Sequence, residues 1–463
     1  MSLTFDRAPF GFQQVCSFEE QLYSSNNLIN HYDMLSNRGE TYAEAGLANA
    51  YLGHQKAPFD KENKEGVVSF SNAENFLMQD VILDYIRTRA ASGLDRTSLT
   101  YHEGPFGSRR LREAMAKLIT TYFYPASPIT SDNILFTSGV TSLNAVCALC
   151  LTDPKDGILL GQPIYGSFDG DLSVPSSCQL IYTSFQGDDP FGPSAVIRYE
   201  EAFLKARDED GVSVRALLIC NPHNPLGRCY PRETLEALLQ FCQKYQIHII
   251  SDEVYALSVY EENTSTDGFI SLLSIEPASI GVNPALIHVL YGMSKDFAAA
   301  GLRLGCLISQ NQRLLQAALS ISRFHWPSNI SCSIATIILE DQSFIKTFVN
   351  QSHRLLRSHR DFATQVLMGA EIPFAPGGIA GFFLWIDLSK CLDPTLIADQ
   401  GGWAAESDLS NRLLQIGVKM SSGYAYHNEV PGWFRIIFSV EMETLEEGLS
   451  RIVKFYLSSG GSA

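Results

Sequence analysis

The alternation of short apolar runs with helical stretches is the feature that most constrains how this chain can fold. Helical patterns such as Val140–Leu151 and Arg232–Tyr245 separate several apolar runs of strand length. Such alternation indicates βαβ units and a mostly parallel sheet, and near-continuous apolar strands indicate that helices cover both faces. The seven predicted strands are Asn133–Thr137, Gly157–Gly161, Gln179–Thr183, Arg215–Cys220, Ile247–Ser251, Leu286–Tyr291 and Leu304–Ser309.

The length of 463 residues allows one large α/β domain with a smaller companion. We expect residues 1–75 to form an N-terminal arm that also contributes to the small domain. Residues 76–325 should form the large domain with the seven-stranded sheet. After Trp326 a long helical stretch and two strand-like runs, Gly381–Asp387 and Trp433–Val440, predict a smaller α+β domain over residues 326–463.

Composition excludes several classes of protein. The 34 Lys and Arg against 50 Asp and Glu give a net charge of −16, which argues against non-specific nucleic-acid binding. No apolar run approaches the ~18 residues of a membrane span. Ten scattered cysteines in so long a chain are no disulfide scaffold, and no metal-binding motif stands out. We therefore expect a cytoplasmic protein without a metal, a membrane partner or a nucleic-acid partner.

Polar groups follow four of the predicted strands at the point where each strand ends. They are Ser138–Thr141, Asn221–Gly227, Asp252–Tyr255 and Gly292–Lys295. Any one of these segments alone is ordinary turn or cap chemistry. In a sheet of this kind, however, ligands bind beyond the carboxyl ends of the strands. Four such segments together predict a ligand site at that edge.

The functional groups in these segments suggest what the ligand is. The helix start formed by Ser138, Gly139, Val140 and Thr141 suits a phosphate, and Arg303 could add charge there. Asp252 could pair with a protonated ring nitrogen, and Asn224 and Tyr255 with a ring oxygen. Lys295 offers an amine that can form an imine with an aldehyde. A phosphate, a pyridine nitrogen, a phenolic oxygen and an aldehyde are the groups of pyridoxal 5′-phosphate (PLP).

The order of these motifs resembles the fold-type I PLP enzymes of the aspartate aminotransferase superfamily, over roughly residues 60–455. The resemblance implies that Lys295 binds the cofactor and acts as the catalytic base, with Asp252 on the pyridinium. It further implies that Tyr165 stacks on the ring and that Arg435 binds the substrate carboxylate. The implied contacts to the rest of the cofactor are Asn224, Tyr255, Ser138, Gly139, Val140, Thr141, Ser294 and Arg303.

Two segments are similar to 1-aminocyclopropane-1-carboxylate (ACC) synthases and their relatives: Asn72-Ala-Glu74-Asn75 and Pro431-Gly-Trp-Phe-Arg435. By this resemblance Tyr101 would reach the cofactor phosphate of a neighbouring subunit, which implies a homodimer with shared sites. One departure stands at Gly292, where the superfamily usually has a phosphate-binding serine. We expect the phosphate to depend more on Thr141, Ser138, Ser294 and Arg303.

The resemblance leaves two reactions open. The favoured one is α,γ-chemistry on S-adenosylmethionine (SAM), giving ACC or a γ-substituted amino acid, with Glu74 beside the sulfonium and Asn224 and Arg435 in the substrate site. The alternative is an aminotransferase that passes the amino group of an aromatic, aliphatic or dicarboxylic amino acid to a 2-oxo acid. His102 and His223 are better explained as turn histidines than as acid–base groups.

Overall fold

A computed structural model describes residues 35–43, 57–101, 103–260 and 268–459. The chain divides into two compact units, Met1–Ala57 and Pro58–Ala463. In the first unit the described residues contain a helix over 37–43. Everything below concerns the second unit.

Strands in the described part of this unit form one large and two small sheets. The large sheet has the order β2-β8-β7-β6-β5-β3-β4, in which β8 runs antiparallel to both of its neighbours and the other pairs are parallel. The prediction of a mostly parallel seven-stranded sheet is confirmed, and each of its seven predicted strands lies within one residue of the observed bounds. The two runs predicted nearer the C-terminus, Gly381–Asp387 and Trp433–Val440, are longer than the observed strands by two and three residues. In chain order the strands are β1 (Val68–Ser69), β2 (Ile134–Thr137), β3 (Gly157–Gly161), β4 (Gln179–Thr183), β5 (Val214–Cys220), β6 (His248–Asp252), β7 (Ile287–Gly292), β8 (Gly305–Ser309), β9 (Phe383–Asp387), β10 (Val418–Lys419), β11 (Ser421–Ser422) and β12 (Trp433–Ile437).

Helices bury both faces of the large sheet. Along β5, Leu217 and Ile219 belong to one apolar core, whereas Ala216 and Leu218 belong to another. Successive side chains of a strand point to opposite faces, so these two cores lie on the two sides of the sheet. None of these side chains is exposed, which explains the unbroken apolar runs of the sequence. The helices are Gln79–Tyr85, Arg109–Tyr122, Val140–Leu151, Val174–Ser176, Ala195–Asp208, Arg232–Tyr245, Gln312–Ile321, Asn329–Glu340, Gln342–Gly369, Pro394–Gln400, Gly402–Gln415 and Met442–Ser458.

A third core surrounds the small sheets. The antiparallel sheet β11-β12-β9 and the parallel pair β1-β10 pack there with helix Met442–Ser458. Because β1 pairs with β10, the segment before residue 75 joins the C-terminal part of the chain. Helix Gln342–Gly369 spans two cores, with Val349 in the large-sheet core and Leu356 in the third. The domain boundaries at residues 75 and 325 stay predictions. No helix among the described residues is long and apolar enough to cross a membrane.

Candidate active site

The carboxyl ends of β5, β6 and β7 open onto a cavity of about 1040 Å³, to which the C-terminal part of the chain also contributes. The loops that follow these three strands carry Asn224, Tyr255 and Lys295 into its wall, as the rule for parallel sheets requires. Most of the site residues predicted from the sequence therefore lie around one space. Those that line it are Glu74, Val140, Thr141, Tyr165, Asn224, Asp252, Tyr255, Ser294, Lys295, Arg303 and Arg435.

Lys295 lies just beyond β7, and its amine faces the cavity. Its Nζ donates a hydrogen bond to the carbonyl oxygen of Ala73 at 2.7 Å. The pKa of Lys295 is lowered to about 8, mainly by burial and also by the nearby Arg435 guanidinium, while Glu74 and Asp252 oppose the shift. An amine with a pKa near neutrality can act both as a nucleophile and as a base.

Asp252, the last residue of β6, is only 6% exposed. Within the described residues its carboxylate accepts one hydrogen bond, from the Val254 N–H at 3.3 Å. Burial raises the pKa of Asp252 to about 7, because little compensates the charged form. A cation bound against this carboxylate would favour the ionised state. The site therefore fits the protonated ring nitrogen of PLP.

Arg435, on β12, is a buried cation at 3% exposure. Its Nη1 donates to Asn224 Oδ1 at 3.1 Å and its Nη2 to the Ser71 carbonyl at 2.5 Å. Its Nε has no hydrogen-bond partner, and no carboxylate of the described residues lies within ion-pair distance. A buried charge without an opposite partner is strongly unfavourable. Arg435 therefore fits an anionic ligand such as a substrate carboxylate.

The helix start at residue 140 lines the cavity where the sequence predicts the phosphate site. Gly139 has φ +85°, and a Cβ there would lie 2.6 Å from Arg303 Nη2, so glycine lets the guanidinium approach the helix N-terminus. Thr141 and Ser294 line the cavity beside them. Backbone N–H groups, hydroxyls and a guanidinium in this arrangement suit a phosphate.

Steric crowding explains why residue 292 is a glycine and not the serine that is usual in the superfamily. Gly292 pairs with Gly305 across β7 and β8, and a Cβ at 292 would lie 2.7 Å from the Leu304 carbonyl oxygen. A serine at this position would collide with the neighbouring strand, so the close approach of β8 requires glycine.

Tyr255 and Tyr165 supply the aromatic part of the wall. Tyr255 is buried with its ring edge-on to Phe382 and Phe383, and burial raises its pKa well above the ordinary value. Tyr165 is partly buried, packs edge-on against Phe168, and also has a pKa raised by burial. A neutral phenol beside a ring oxygen can donate a hydrogen bond.

Three residues predicted for the site do not line the cavity. Ser138 and Gly139 lie behind the helix start, where the Ser138 N–H donates to the His325 carbonyl. Tyr101 is 82% exposed and contacts the Trp326 ring at 5.3 Å between centroids. Its role in a neighbouring subunit stays a prediction.

Of the two histidines weighed from the sequence, His223 does not line the cavity. His223 is buried and stays neutral, because burial lowers its pKa to about 3, and its ring packs against Phe191. His102 lies outside the described residues. In the part of the chain that the structure describes, no group of three or more His, Cys, Asp or Glu side chains could hold a metal ion.

The sequence analysis missed several cavity residues. Asn144 Nδ2 donates to Asp171 Oδ2 at 3.1 Å, and burial raises the pKa of that carboxyl. A signal existed for this pair, since Asn144 is the one polar residue in the otherwise apolar stretch from Leu143 to Leu151 of this helix. No comparable signal marked Trp403 and Tyr424, which come from the C-terminal part of the chain. The missed lining residues include Asn144, Asp169, Asp171, Trp403, Tyr424, Tyr426 and His427.

Comparison with known proteins gives a consistent result. The sequence model of the aminotransferase class I and II family matches residues 67–452. The chain is 35% identical over 394 residues to the probable aminotransferase tcpI of Claviceps purpurea, covering 83% of this chain and 88% of that protein. It is 30% identical over 398 residues to the ACC synthase-like protein 1 of Homo sapiens, covering 85% and 77%.

A solved structure shows the same fold. The aspartate aminotransferase double mutant of Thermus thermophilus matches with a TM-score of 0.70 at 21% identity, covering 91% of this chain and 99% of that chain. The predicted fold-type I architecture is thereby confirmed.

Proposed function

The chain belongs to the aminotransferase class I and II family of PLP-dependent enzymes, and from that premise we propose that it removes the α-proton of an amino acid and favours α,γ-chemistry on SAM. The observation that supports this proposal is the shared cavity of Lys295 and Arg435. There a buried amine with a pKa of about 8 lies near a guanidinium that lacks an anionic partner.

The residues that we expect to hold PLP are those that the family resemblance implies and that line the cavity. Lys295 would bind the aldehyde carbon, Asp252 the ring nitrogen, and Asn224 and Tyr255 the ring oxygen, with Tyr165 against the ring. Thr141, Ser294, Arg303 and the helix start would hold the phosphate. When bound, the cofactor supplies an aldehyde for the amino group and a conjugated ring that accepts electrons from the α-carbon.

The chain itself positions the substrate and moves its proton. Arg435 orients the α-carboxylate, since a planar guanidinium can form two parallel hydrogen bonds to it. Lys295 Nζ, once free, takes the α-proton. Tyr255, kept neutral by burial, donates toward the ring oxygen.

The α,γ-reaction on SAM needs no further reactant to give the cyclic product. The bond from Cα to Cγ forms while the bond from Cγ to sulfur breaks, and its electron pair leaves with neutral methylthioadenosine. Glu74, in the cavity wall, would complement the positive sulfonium. The similarity to a protein named ACC synthase-like is one observation in support of this reaction.

Transamination is the second candidate, because another relative is named a probable aminotransferase. In that reaction an amino acid leaves as its 2-oxo acid, and a second 2-oxo acid receives the amino group. Lys295, Asp252 and Arg435 would serve both reactions equally. The choice between them depends on residues farther from the α-carbon.

One experiment separates the two. Enzyme loaded with PLP is incubated with SAM, and mass spectrometry follows methylthioadenosine and any cyclic or γ-substituted amino acid. Parallel reactions contain aromatic, aliphatic or dicarboxylic amino acids with 2-oxoglutarate, and Lys295→Ala serves as the inactive control. Keto-acid formation with SAM left intact would reject the SAM proposal in favour of transamination.

We also propose a homodimer with shared active sites in the cytosol. The family resemblance places Tyr101 at a neighbouring subunit, and its exposure leaves it available. Mixing Tyr101→Phe with Lys295→Ala subunits should restore activity through hybrid dimers that have one intact site. An active monomer in solution would contradict this assignment. The scattered cysteines favour a reducing compartment.

A further inference from the structure

Two aromatic side chains at the cavity wall have no part in the chemistry described so far. Trp403 and Tyr424 both line the cavity, with ring centroids 5.8 Å apart and ring planes inclined by 65°. Trp403 is 37% exposed and Tyr424 70% exposed. Single exposed aromatic residues are common, but two that face the same cavity form a surface on which a planar ring can pack.

We propose that Trp403 and Tyr424 form a subsite for an aromatic ring at the end of the substrate side chain. This inference rests on the proposed function to the extent that the cavity accepts an amino acid. It adds the substrate class, which is an amino acid whose side chain ends in a purine, indole or similar planar ring.

The subsite is held in place by a buried carboxylate. Glu406 Oε1 accepts the Tyr424 N–H at 2.8 Å, and its Oε2 accepts the Gly432 N–H at 2.7 Å. Glu406 is itself buried, and burial raises its pKa. Trp403 lies three residues earlier on the same helix, Gly402–Gln415, and thus about one turn away. The Glu406 side chain therefore holds the turn that contains Tyr424 against the helix that carries Trp403.

The subsite shares its cavity with Arg435. The Arg435 guanidinium is 5.0 Å from the centre of the Tyr426 ring, and Tyr424 is in the same short turn, Tyr424–Tyr426. Arg435, Tyr424 and Trp403 all line this cavity, so a carboxylate at Arg435 and a ring at the aromatic pair can belong to one ligand.

Cavity size agrees with a long substrate. Pockets for small molecules typically span about 300–1,000 Å³, and this one is at the upper end at about 1040 Å³. The cofactor and a short amino acid would leave space along the wall of Trp403. A ring on the substrate would fill that space and exclude water from the two aromatic faces.

The test measures binding by titration calorimetry on the PLP-loaded protein, with three ligands from which no α-proton can be removed. Methylthioadenosine carries a purine. α-Methyltryptophan carries an indole but has no α-hydrogen, and 2-methylalanine is its match without a ring. Each is titrated into wild type, Trp403→Ala, Tyr424→Ala and the ring-keeping controls Trp403→Phe and Tyr424→Phe. Melting temperatures and the cofactor absorbance spectrum verify that every variant is folded and loaded.

Because a stacking partner is lost, the affinity for the ring-bearing ligands should fall by about tenfold in each alanine variant. The phenylalanine variants should bind nearly as wild type, and 2-methylalanine should bind all variants alike. If α-methyltryptophan shows this pattern and methylthioadenosine does not bind, the subsite stands and the SAM proposal fails. Three results would overturn the subsite. In the first, the ring-bearing ligands bind all variants with equal affinity; in the second, the affinity for all three ligands falls equally. In the third, neither ring-bearing ligand binds the wild type.

Discussion

The substitution Asp252→Asn should stabilise the folded protein without its cofactor and destabilise it with the cofactor bound. In the cofactor-free protein the folded-state pKa of Asp252 is about 7, against an ordinary 3.8. Below pH 4 the carboxyl is protonated in both the folded and the unfolded state. As the pH rises through 7, the unfolded chain releases this proton first, so the folded state loses stability. Between the unfolded-state and the folded-state pKa, the free energy of unfolding should fall by at most about 4 kcal/mol.

Asparagine keeps the shape of the side chain and cannot ionise. Its amide oxygen can still accept the Val254 N–H, which is 3.3 Å from Oδ1 in the wild type. The stability advantage of cofactor-free Asp252→Asn over wild type should therefore grow by up to about 3 kcal/mol as the pH is raised from 5 to 8, because about two pH units of this range lie below the folded-state pKa of about 7. With PLP bound, wild type should instead be the more stable protein, because in Asp252→Asn the ring cation loses its carboxylate partner. The affinity of Asp252→Asn for PLP should fall by about 10- to 150-fold.

Urea unfolding at pH 5 and pH 8, with and without PLP, measures both effects. Asp296→Asn is the matched control, since Asp296 is also buried with a pKa of about 7 but does not line the cavity. Its carboxylate instead accepts hydrogen bonds from Leu257, Ser258 and Tyr291. The PLP affinity of this control should stay near that of wild type. If the stability difference between Asp252→Asn and wild type is unchanged from pH 5 to 8, the assigned burial effect is wrong.

Three further predictions concern the reacting groups. Borohydride reduction and peptide mapping should place the pyridoxyl group on Lys295, and label on another lysine would contradict the assignment. Glu74→Gln should raise the KM for SAM by about fivefold, as expected for a partly exposed charge pair, and leave uncharged amino acids unaffected. Arg435→Lys should lower kcat/KM by about 10- to 150-fold for every amino acid, because lysine lacks the planar pair of donors; an effect confined to one substrate would refute the carboxylate assignment.

The strands and the residues that follow them could be predicted because they leave local patterns. A strand such as Val214–Cys220 is apolar except for Arg215, and its motif begins at the next residue, Asn221. The antiparallel direction of β8 leaves no such pattern, since an apolar run reads the same in both directions. The domain boundary is equally hidden, because helix Gln342–Gly369 passes from one core to another without a break.

Burial of charge was the other property that the sequence could not supply. Asp252 and Arg435 are both buried, yet they are not paired with each other, and within the described residues neither has an ion-pair partner of its own. A chain selected for stability alone would pair or replace them. Each instead lacks a charge that a ligand can bring, a cation at Asp252 and an anion at Arg435.

Lys295 lies in the field of both groups, because Arg435 lowers its pKa and Asp252 raises it. This arrangement suits any amino acid bound through the cofactor, so it cannot by itself distinguish elimination of a γ-group from transamination. Selectivity must come from wall residues that contact only the side chain of the substrate. Glu74 and Trp403 are the residues with chemistry suited to that task, one by its charge and the other by its ring. Substitution of Glu74 or Trp403 should therefore change which amino acids react. Substitution of Asp252 or Arg435 should instead lower kcat/KM for every amino acid.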